Sequence, residues 1–184
     1  MLELGCGTGN LSLRLAERFP GASLTLVDGS AEMTQLTASR IQAARQPIVD
    51  VVYVVRPFED LEFGANSFDL VVSSISLHHV EDKARLFRRI RSFLHDGGIV
   101  AFADQLRGEP ESNHRVNWDS WLEFCRQPGN CTADEIQSLL DHAAAHDHYT
   151  SLSEHSSILG AAGFIHVDCA WRNLMWGIVT ATTA

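Results

Sequence analysis

Cysteine, proline and basic residues are all scarce in this sequence. Its 184 residues include 4 Cys, 5 Pro and 14 Lys plus Arg against 23 Asp plus Glu, which gives a formal net charge of −9. With 13 Gly and 45% hydrophobic residues, the composition excludes a collagen-like, coiled-coil or disordered chain. A surface this negative repels phosphate backbones, which argues against nucleic acid as the main partner.

A long apolar run and a leader segment are also missing. The apolar stretches are of strand length, well short of the ~20 residues that a membrane helix needs. Met1 is followed at once by Leu2 and a glycine cluster, without the basic and apolar regions of a signal peptide. These absences predict a cytoplasmic protein with no membrane partner. The sparse cysteines are then expected to be reduced thiols: Cys6, Cys125, Cys131 and Cys169.

The first hundred residues alternate between apolar runs and helical periods. Strands are predicted at residues 1–4, 23–28, 49–55, 68–73 and 99–103. Helices are predicted from a cap at Asn10, from Ser30 to about Arg45, and from Glu81 to His95, ended by Gly97 and Gly98. This alternation predicts an α/β fold with a parallel, doubly wound sheet. The β-branched run at 49–55 is expected to be covered on both faces.

The second half predicts a different arrangement within the same single domain, 1–184. Residues 1–105 are expected to form a cofactor-binding half, 106–150 a helical, lid-like insertion, and 151–184 a helix with a pair of strands. Capping boxes at 132–135 and 151–154 predict two helix starts. The strands at 164–170 and 174–182 are separated by three residues, too few for a parallel crossover, so they should pair antiparallel.

A glycine-rich turn, Gly5-Cys6-Gly7-Thr8-Gly9, joins the first strand to the first helix. Glycine allows positive φ and lets a ligand approach the main chain. Asp28, at the end of the next strand, is placed to hydrogen-bond both hydroxyls of a ribose. Ligands of open α/β sheets bind at this edge, so the pattern predicts an adenosine-containing cofactor. Neither register of the turn matches the G-x-G-x-x-G spacing of dinucleotide sites.

Several motifs together resemble the class I S-adenosylmethionine-dependent methyltransferases, most closely the branch that acts on small molecules. They are LELGCGTG, the strand ending in Asp28, SFDLVVSSISLHHV, the Gly97-Gly98 turn and the AAGF segment before the last two strands. The resemblance implies a Rossmann-like sheet of seven strands in the order 3-2-1-4-5-7-6, with strand 7 antiparallel. It also implies that helices which normally precede the first strand, and cap the site, are absent from this sequence.

The resemblance further implies a set of contacts with S-adenosylmethionine and its product S-adenosylhomocysteine. Glu3 and the backbone of Gly5, Cys6 and Gly7 would face the methionine part, and the carbonyls of Ser73 and Ser74 would receive its ammonium group. Asp28 would bind the ribose, with Gly29 and Ser30 shaping the loop and Met33 near the adenine. An acidic adenine-binding position of the family falls on Pro57, which leaves the backbone of Phe58 for the adenine, with Glu59 and Asp60 further along.

Polar residues at two other strand ends are catalytic candidates. His78 and His79 follow the fourth strand and Asp104 ends the fifth, so each can act as a general base on a hydroxyl acceptor. The alternatives are a packed or capping histidine and an ordinary strand-end carboxylate.

Three further groups have mainly structural explanations. Cys125, Cys131, His142 and His146 form a possible zinc set, but their spacing is unusual and no metal site is predicted. Lys83, Arg85, Arg88, Arg89 and Arg91 are expected to form a solvated helix face, with an acidic or RNA partner as the alternative. Trp118, Trp121 and Phe124 fit core packing somewhat better than a ligand platform within a lid.

The preferred function is therefore methyl transfer from S-adenosylmethionine to a small-molecule acceptor by in-line displacement. Two other functions stay open at this point: a non-catalytic module that retains the fold, and a nicotinamide oxidoreductase. The sequence leaves the acceptor atom (O, N or C) and the oligomeric state open.

Overall fold

A computed structural model of the chain describes residues 1–44 and 50–184. The strands are β1 (Leu2–Leu4), β2 (Ser23–Asp28), β3 (Asp50–Val55), β4 (Phe68–Ser74), β5 (Leu94–Arg107), β6 (Thr150–Ser151), β7 (Phe164–Asn173) and β8 (Trp176–Thr183). The helices are α1 (Asn10–Arg18), α2 (Ala31–Ala43), α3 (Lys83–Phe93), α4 (Glu111–Arg126), α5 (Ala133–His146) and α6 (Leu152–Ala161). Short 3-10 turns lie at Phe58–Asp60 and Leu77–His79.

The sheet has the order β3-β2-β1-β4-β5-β8-β7, and the two-residue strand β6 pairs with β5 outside this path. Strand β8 runs antiparallel to both β5 and β7, whereas the other pairs are parallel. With β6 set aside, β7 and β8 are the sixth and seventh strands of the predicted order, which is therefore confirmed. The extra strand β6 was not predicted.

Helices cover both faces of the sheet. Leu2 and Leu4 belong to a core cluster with side chains of α3 and α6, among them Phe87 and Leu159. A second cluster joins β2 to α1 and α2 through Leu24, Leu26, Leu15, Ala16 and Ile41. Because side chains alternate along a strand, Glu3 faces away from Leu2 and Leu4.

The register places the carboxyl ends of three strands side by side. Leu4 is opposite Val27 of β2 and Ser73 of β4. The order of strands reverses at β1, between β2 and β4, which is where open α/β sheets bind ligands. The connections that leave these strand ends therefore surround one place.

The prediction for the third strand was wrong about burial. Strand β3 is an edge strand, and Val52 and Val55 are 47% and 48% exposed. An apolar, β-branched run resembles a covered central strand, but whether it is covered depends on its position in the sheet. The first residue predicted for this strand, Val49, and the last predicted for the second helix, Arg45, lie outside the described residues.

Two predicted helix ends also differ from the structure. Asn10 is the first residue of α1 and Gly9 is its cap; the Asn10 side chain instead accepts a hydrogen bond from Arg40 of α2. Helix α3 ends at Phe93 and passes directly into β5, where the register against β4 shifts between Phe68 and Leu70. The Asp96-Gly97-Gly98 turn lies in this irregular part of β5.

Within the described ranges, no helix has both the length and the apolar character needed to cross a membrane.

Candidate functional site

The glycine turn after β1 is held in a fixed shape by hydrogen bonds. Gly5, Gly7 and Gly9 have φ values of +74°, +50° and +82°, in the region that favours glycine. The N–H groups of Gly5 and Cys6 both donate to the carbonyl of Val27, at 2.9 and 3.0 Å. From α2, the Thr37 hydroxyl donates to the carbonyl of Gly7 at 2.7 Å. The first strand, second strand and second helix thus fix the turn together.

Gly5 lies where the turn meets the end of β4. A Cβ atom at Gly5 would lie 2.4 Å from Oγ of Ser76. That hydroxyl donates to the carbonyl of Leu4 at 3.1 Å and shares a 2.6 Å hydrogen bond with the Ser73 hydroxyl. Only glycine fits here, for reasons of both conformation and space.

Asp28 presents a carboxylate that the backbone holds on two sides. Its Oδ2 accepts a hydrogen bond from the N–H of Gly7 at 2.8 Å, and its Oδ1 accepts one from the N–H of Ser30 at 2.9 Å. These two backbone donors fix the orientation of the carboxylate. The carboxylate retains unused lone pairs with which to accept hydroxyl donors.

A cavity of about 540 Å³ lies over this turn. Its wall includes nine of the residues predicted for the site: Glu3, Gly5, Cys6, Gly7, Asp28, Gly29, Phe58, Ser74 and His79. Five predicted site residues are not in the wall: Ser30, Met33, Ser73, His78 and Asp104. The residues without a predicted role that complete it are Thr8, Asn10, Leu11, Pro57, Glu59, Ile75, Ser76 and Val80. We call this space the glycine-turn cavity.

Three of the five residues outside the wall, Ser30, Met33 and Ser73, form hydrogen bonds next to it. The Ser30 hydroxyl caps α2 by accepting from the N–H of Met33 at 3.3 Å. Ser73 is buried, and its hydroxyl bonds Ser76 rather than facing the cavity. Their predicted cofactor contacts stay predictions.

Ile75 was missed by the sequence analysis, and its backbone is unusual. It has φ of +54°, is 52% exposed and lines the glycine-turn cavity. Positive φ is a genuine outlier for a β-branched residue, and such strain concentrates at binding sites. No local sequence signal marks an isoleucine for this conformation.

Glu3 is buried at the base of the cavity. The Ser12 hydroxyl donates to its Oε2 at 2.6 Å. Burial raises the pKa of this carboxyl to about 7, against an ordinary value of 4.5; the Ser12 bond opposes the rise, and the Asp28 charge adds to it. Burial also raises the pKa of the neighbouring Cys6 thiol to about 11, so that it stays protonated.

We expect Glu3→Gln to be more stable than the parent protein, by a difference in unfolding free energy that grows as pH rises. Between pH 4.5 and about 7 the folded chain keeps a proton on Glu3 that the unfolded chain has released, so the free energy of unfolding falls as pH rises through this window. Gln cannot ionise but still accepts from Ser12. The advantage of the variant should grow to about 3 kcal/mol at most above this window.

Urea unfolding of parent and variant at about pH 5 and about pH 8 measures this difference. The buried His155, whose pKa burial lowers to about 4, adds an opposite pH dependence, but it is common to both proteins and cancels. Glu17→Gln, at an exposed position of α1, is the matched control. A constant difference between Glu3→Gln and the parent at the two pH values would contradict the assigned burial effect.

His78 and Asp104 form a buried pair at the next two strand ends. The two side chains lie 2.5 Å apart, between Nδ1 of His78 and Oδ1 of Asp104. Asp104 also accepts from the backbone N–H of His78 at 3.0 Å and from that of Gln105 at 2.8 Å. The carboxylate therefore fixes both the position of the loop and the direction of the His78 ring.

Asp147, from the loop after α5, completes this cluster and was not identified from the sequence. Its side chain is 5% exposed; Oδ1 lies 3.0 Å from Nδ1 of His79, and Oδ2 accepts a hydrogen bond from the Tyr149 hydroxyl at 2.6 Å. Burial and the bond to Asp147 raise the pKa of Tyr149, so it remains a donor. Asp147 and Tyr149 are remote in sequence from His78, so only the fold reveals the contact.

His79 is the member of the cluster that borders the glycine-turn cavity. Desolvation and the nearby His78 lower its pKa, while Asp147 partly opposes this. The lowered pKa favours a neutral imidazole at neutral pH, with a lone pair free to accept a proton or bind an ion.

A groove between α4 and α5 lies on the far side of Asp147. Its wall comprises Glu111, His114, Arg115, Trp118, Leu140, Ala143, Ala144, Asp147 and Tyr149. The preference for core packing of the α4 aromatics was wrong, because Trp118 lines this groove and Phe124 is 57% exposed. Helical spacing shows which aromatics share a face but not what covers it.

The possible zinc set of the sequence does not come together in the fold. In residues 1–44 and 50–184, the one cluster of His, Cys, Asp and Glu that could bind a metal ion is His78, His79 and Asp147. The structure therefore does not assemble the set Cys125, Cys131, His142 and His146.

The basic face of α3 is not solvated throughout. Lys83 is buried and donates to the carbonyl of Val80 at 2.8 Å, and Arg89 donates to the carbonyls of Glu59 and Leu61.

Known proteins share both the sequence pattern and the fold. Residues 1–98 match the family described as methyltransferase domain. The chain is 35% identical over 103 residues to a malonyl-[acyl-carrier protein] O-methyltransferase of Geobacter sulfurreducens, covering 56% of this chain and 37% of that protein. It is 33% identical over 132 residues to a trans-aconitate 2-methyltransferase of Deinococcus radiodurans, covering 72% and 47%.

A solved structure gives the same picture of the fold. Phosphoethanolamine N-methyltransferase 2 of Haemonchus contortus, in complex with S-adenosyl-L-methionine, superposes with a TM-score of 0.72 at 18% identity, covering all of this chain and 48% of that one. The chain thus spans less than half the length of these three proteins. The family match confirms the resemblance noted in the sequence and decides against a nicotinamide oxidoreductase. The chain belongs to the methyltransferase domain family, within the class I S-adenosylmethionine-dependent methyltransferases.

Proposed function

We propose that this chain binds S-adenosylmethionine in the glycine-turn cavity and transfers its methyl group to a small-molecule acceptor. The observation that carries the proposal is Asp28, whose backbone-held carboxylate borders the cavity beside three positive-φ glycines. This arrangement suits a ribose whose two hydroxyls donate to one carboxylate. The cavity volume, about 540 Å³, falls in the ordinary range for sites that bind small molecules and cofactors.

The charge of the cavity wall also suits this cofactor. Glu3, Asp28 and Glu59 contribute carboxyl groups, and the described wall includes neither Lys nor Arg. A diphosphate would meet repulsion here, whereas the sulfonium and ammonium groups of S-adenosylmethionine would be attracted. We place the methionine part against Glu3 and the 5–7 backbone, the ribose at Asp28 and the adenine towards Phe58.

The reaction requires little from the protein beyond alignment. An electron pair of the acceptor attacks the methyl carbon, the carbon–sulfur bond breaks, and the sulfonium becomes the neutral thioether of S-adenosylhomocysteine. Because the methyl group is already activated, holding acceptor, methyl carbon and sulfur in line supplies most of the rate enhancement.

His79 is the residue that we place beside the acceptor. It borders the cavity with a ring that favours the neutral form, so it can take the proton of a hydroxyl acceptor as the new bond forms. His78 and Asp104 act as positioning residues, because their buried pair orients the loop that carries His79. The groove between α4 and α5 lies beyond Asp147 and is the space that we assign to the rest of the acceptor.

An oxygen acceptor fits this arrangement best, since a nitrogen acceptor with a free lone pair needs no base. One similar protein is named an O-methyltransferase, whereas the superposed structure is named an N-methyltransferase, so the family name alone does not fix the atom. The acceptor is a small molecule in this proposal. A cytoplasmic location stays a prediction.

Isothermal titration of the chain with S-adenosylhomocysteine tests the binding step. We expect one equivalent to bind, and NAD⁺ to give no heat under the same conditions. A chain that is folded by circular dichroism and shows no binding at about millimolar ligand would overturn the proposal.

The transfer step is tested by supplying methyl-labelled S-adenosylmethionine with a panel of small hydroxyl, carboxyl and amine compounds. If oxygen is the acceptor atom, label enters an oxygen compound and His79→Gln lowers the rate by about 10²- to 10⁴-fold while S-adenosylhomocysteine still binds. Equal rates in parent and variant would refute the role given to His79.

A further inference from the structure

Three side chains around the loop after β4 bring ligand-type atoms close together. One ligand atom from each of His78, His79 and Asp147 lies within 4.8 Å of the other two. Oδ1 of Asp147 is 3.0 Å from the His79 nitrogen and 3.8 Å from the His78 nitrogen. Ligands about 2.0–2.1 Å from one zinc ion at tetrahedral angles lie roughly 3.3–3.4 Å apart, so these separations need only small adjustments.

The Asp147 oxygen in this cluster has no hydrogen-bond partner, although it is buried and close to two imidazoles. Nδ1 of His79 lies 3.0 Å from this oxygen, but the pair does not have the geometry of a hydrogen bond. Co-ligands of one ion have this relation, because each lone pair points to the ion rather than to the neighbouring ligand. An unpaired buried carboxylate oxygen is costly, so its persistence here calls for a cation.

Neighbouring side chains orient two of these ligand atoms by hydrogen bonds and leave their lone pairs free for a metal ion. Asp104 bonds Nδ1 of His78 at 2.5 Å, which leaves Nε2 as the free ring nitrogen. The Tyr149 hydroxyl occupies Oδ2 of Asp147 and leaves Oδ1 free. Carboxylate–histidine pairs of this kind orient the ligands of many metal sites.

We propose that His78, His79 and Asp147 bind one divalent transition-metal ion, with Zn²⁺ as the probe. Two imidazoles and one carboxylate are a common ligand set for zinc and its neighbours, and they leave at least one coordination position for water or substrate. The ion would lie where the two spaces meet, since His79 lines the glycine-turn cavity and Asp147 the α4–α5 groove. There it would bind an oxygen of the acceptor, and with the ion present His79 would be its ligand in place of acting as the base.

This site shares no residue with the possible zinc set seen in the sequence, which was Cys125, Cys131, His142 and His146. Asp147 lies 68 residues after His79 in the chain, so no short ligand spacing predicts this set. An acceptor with a hydroxyl or carboxylate oxygen is the class that such an ion would select. This part of the inference rests on the proposed methyl transfer, whereas metal binding itself does not.

The test is a titration of the chelator-washed full chain with Zn²⁺ and with Co²⁺, without cofactor or acceptor. We expect one equivalent to bind, and the Co²⁺ form to show visible ligand-field bands without the near-ultraviolet absorption of a thiolate ligand. His79→Gln, at a half-exposed side chain whose loss should not unfold the protein, is expected to abolish this site.

Asp104→Asn is the test of positioning, and it should weaken Zn²⁺ binding about 10- to 100-fold. Its second readout is the Co²⁺ spectrum, which should shift as the His78 ring changes its orientation. His95→Ala and Cys131→Ser, away from the cluster, should bind Zn²⁺ as the parent does. Absence of a stoichiometric ion, or a site removed by Cys131→Ser and retained in His79→Gln, would overturn the proposal. Failure of methyl transfer would leave this result unaffected.

Discussion

Asp28→Ala should lower the affinity for S-adenosylhomocysteine by about 100-fold or more. A hydrogen bond to a charged group contributes about 1.5–3 kcal/mol, and two ribose hydroxyls would lose such a partner together. The substitution also removes the acceptor of the Gly7 and Ser30 N–H groups, so the turn and the start of α2 lose a common anchor.

Titration calorimetry of three variants separates these effects. Asp28→Asn keeps one acceptor oxygen and should lie between the parent and Asp28→Ala. Asp69→Ala is the matched control, because that carboxylate is exposed at the opposite, amino end of β4 and should not affect binding. Unchanged affinity in Asp28→Ala would show that the ribose does not bind at this carboxylate.

Gly5→Ala should be the most destabilising single change in the glycine turn, at about 2–5 kcal/mol. The φ of +74° costs an L-residue roughly 1–2 kcal/mol, and overpacking adds about 1–3 kcal/mol. The new methyl group would lie 2.4 Å from Oγ and 2.5 Å from Cβ of Ser76, and Ser76 is buried and hydrogen-bonded to Leu4. A domain with an ordinary stability of about 5–15 kcal/mol would lose a large part of it.

Urea unfolding provides the measurement, and Gly7→Ala the comparison. Gly7 also has positive φ, but nothing lies within 4 Å of a Cβ atom placed there, so only the conformational cost of about 1–2 kcal/mol applies. Ser76→Gly removes both crowding atoms and should restore part of the stability lost in Gly5→Ala. Equal destabilisation by Gly5→Ala and Gly7→Ala would show that contact with Ser76 is not the cause.

Local patterns determined much of the sheet and half of the site. The alternation of strands and helices, the link of a few residues before the last strand and the glycine turn with Asp28 all act through neighbours in sequence. Their predictions agree with the observed strand order and with nine residues of the cavity wall. The capping boxes at Thr132 and Ser151 are also confirmed, since such hydrogen bonds join residues three apart.

Errors arose where burial depends on distant parts of the chain. The apolar residues of β3 resemble those of a central strand, yet β3 lies at the sheet edge. Lys83 belongs to a basic helix but is buried, and the carbonyls of Val80 and His148 accept hydrogen bonds from its ammonium group. Trp118 shows the same limit, since periodicity defines a helix face and not its neighbour.

The sequence by itself identified an α/β fold of the methyltransferase domain family, with a glycine turn beside the Asp28 carboxylate, because the turn, the strand-end carboxylate and the strand pattern are local signals. Only the tertiary structure decided which side chains meet beyond the turn. Asp147 and Tyr149 follow α5, and folding brings Asp147 against His78 and His79. Such contacts depend on how long segments pack, and nothing in the spacing of the residues encodes them.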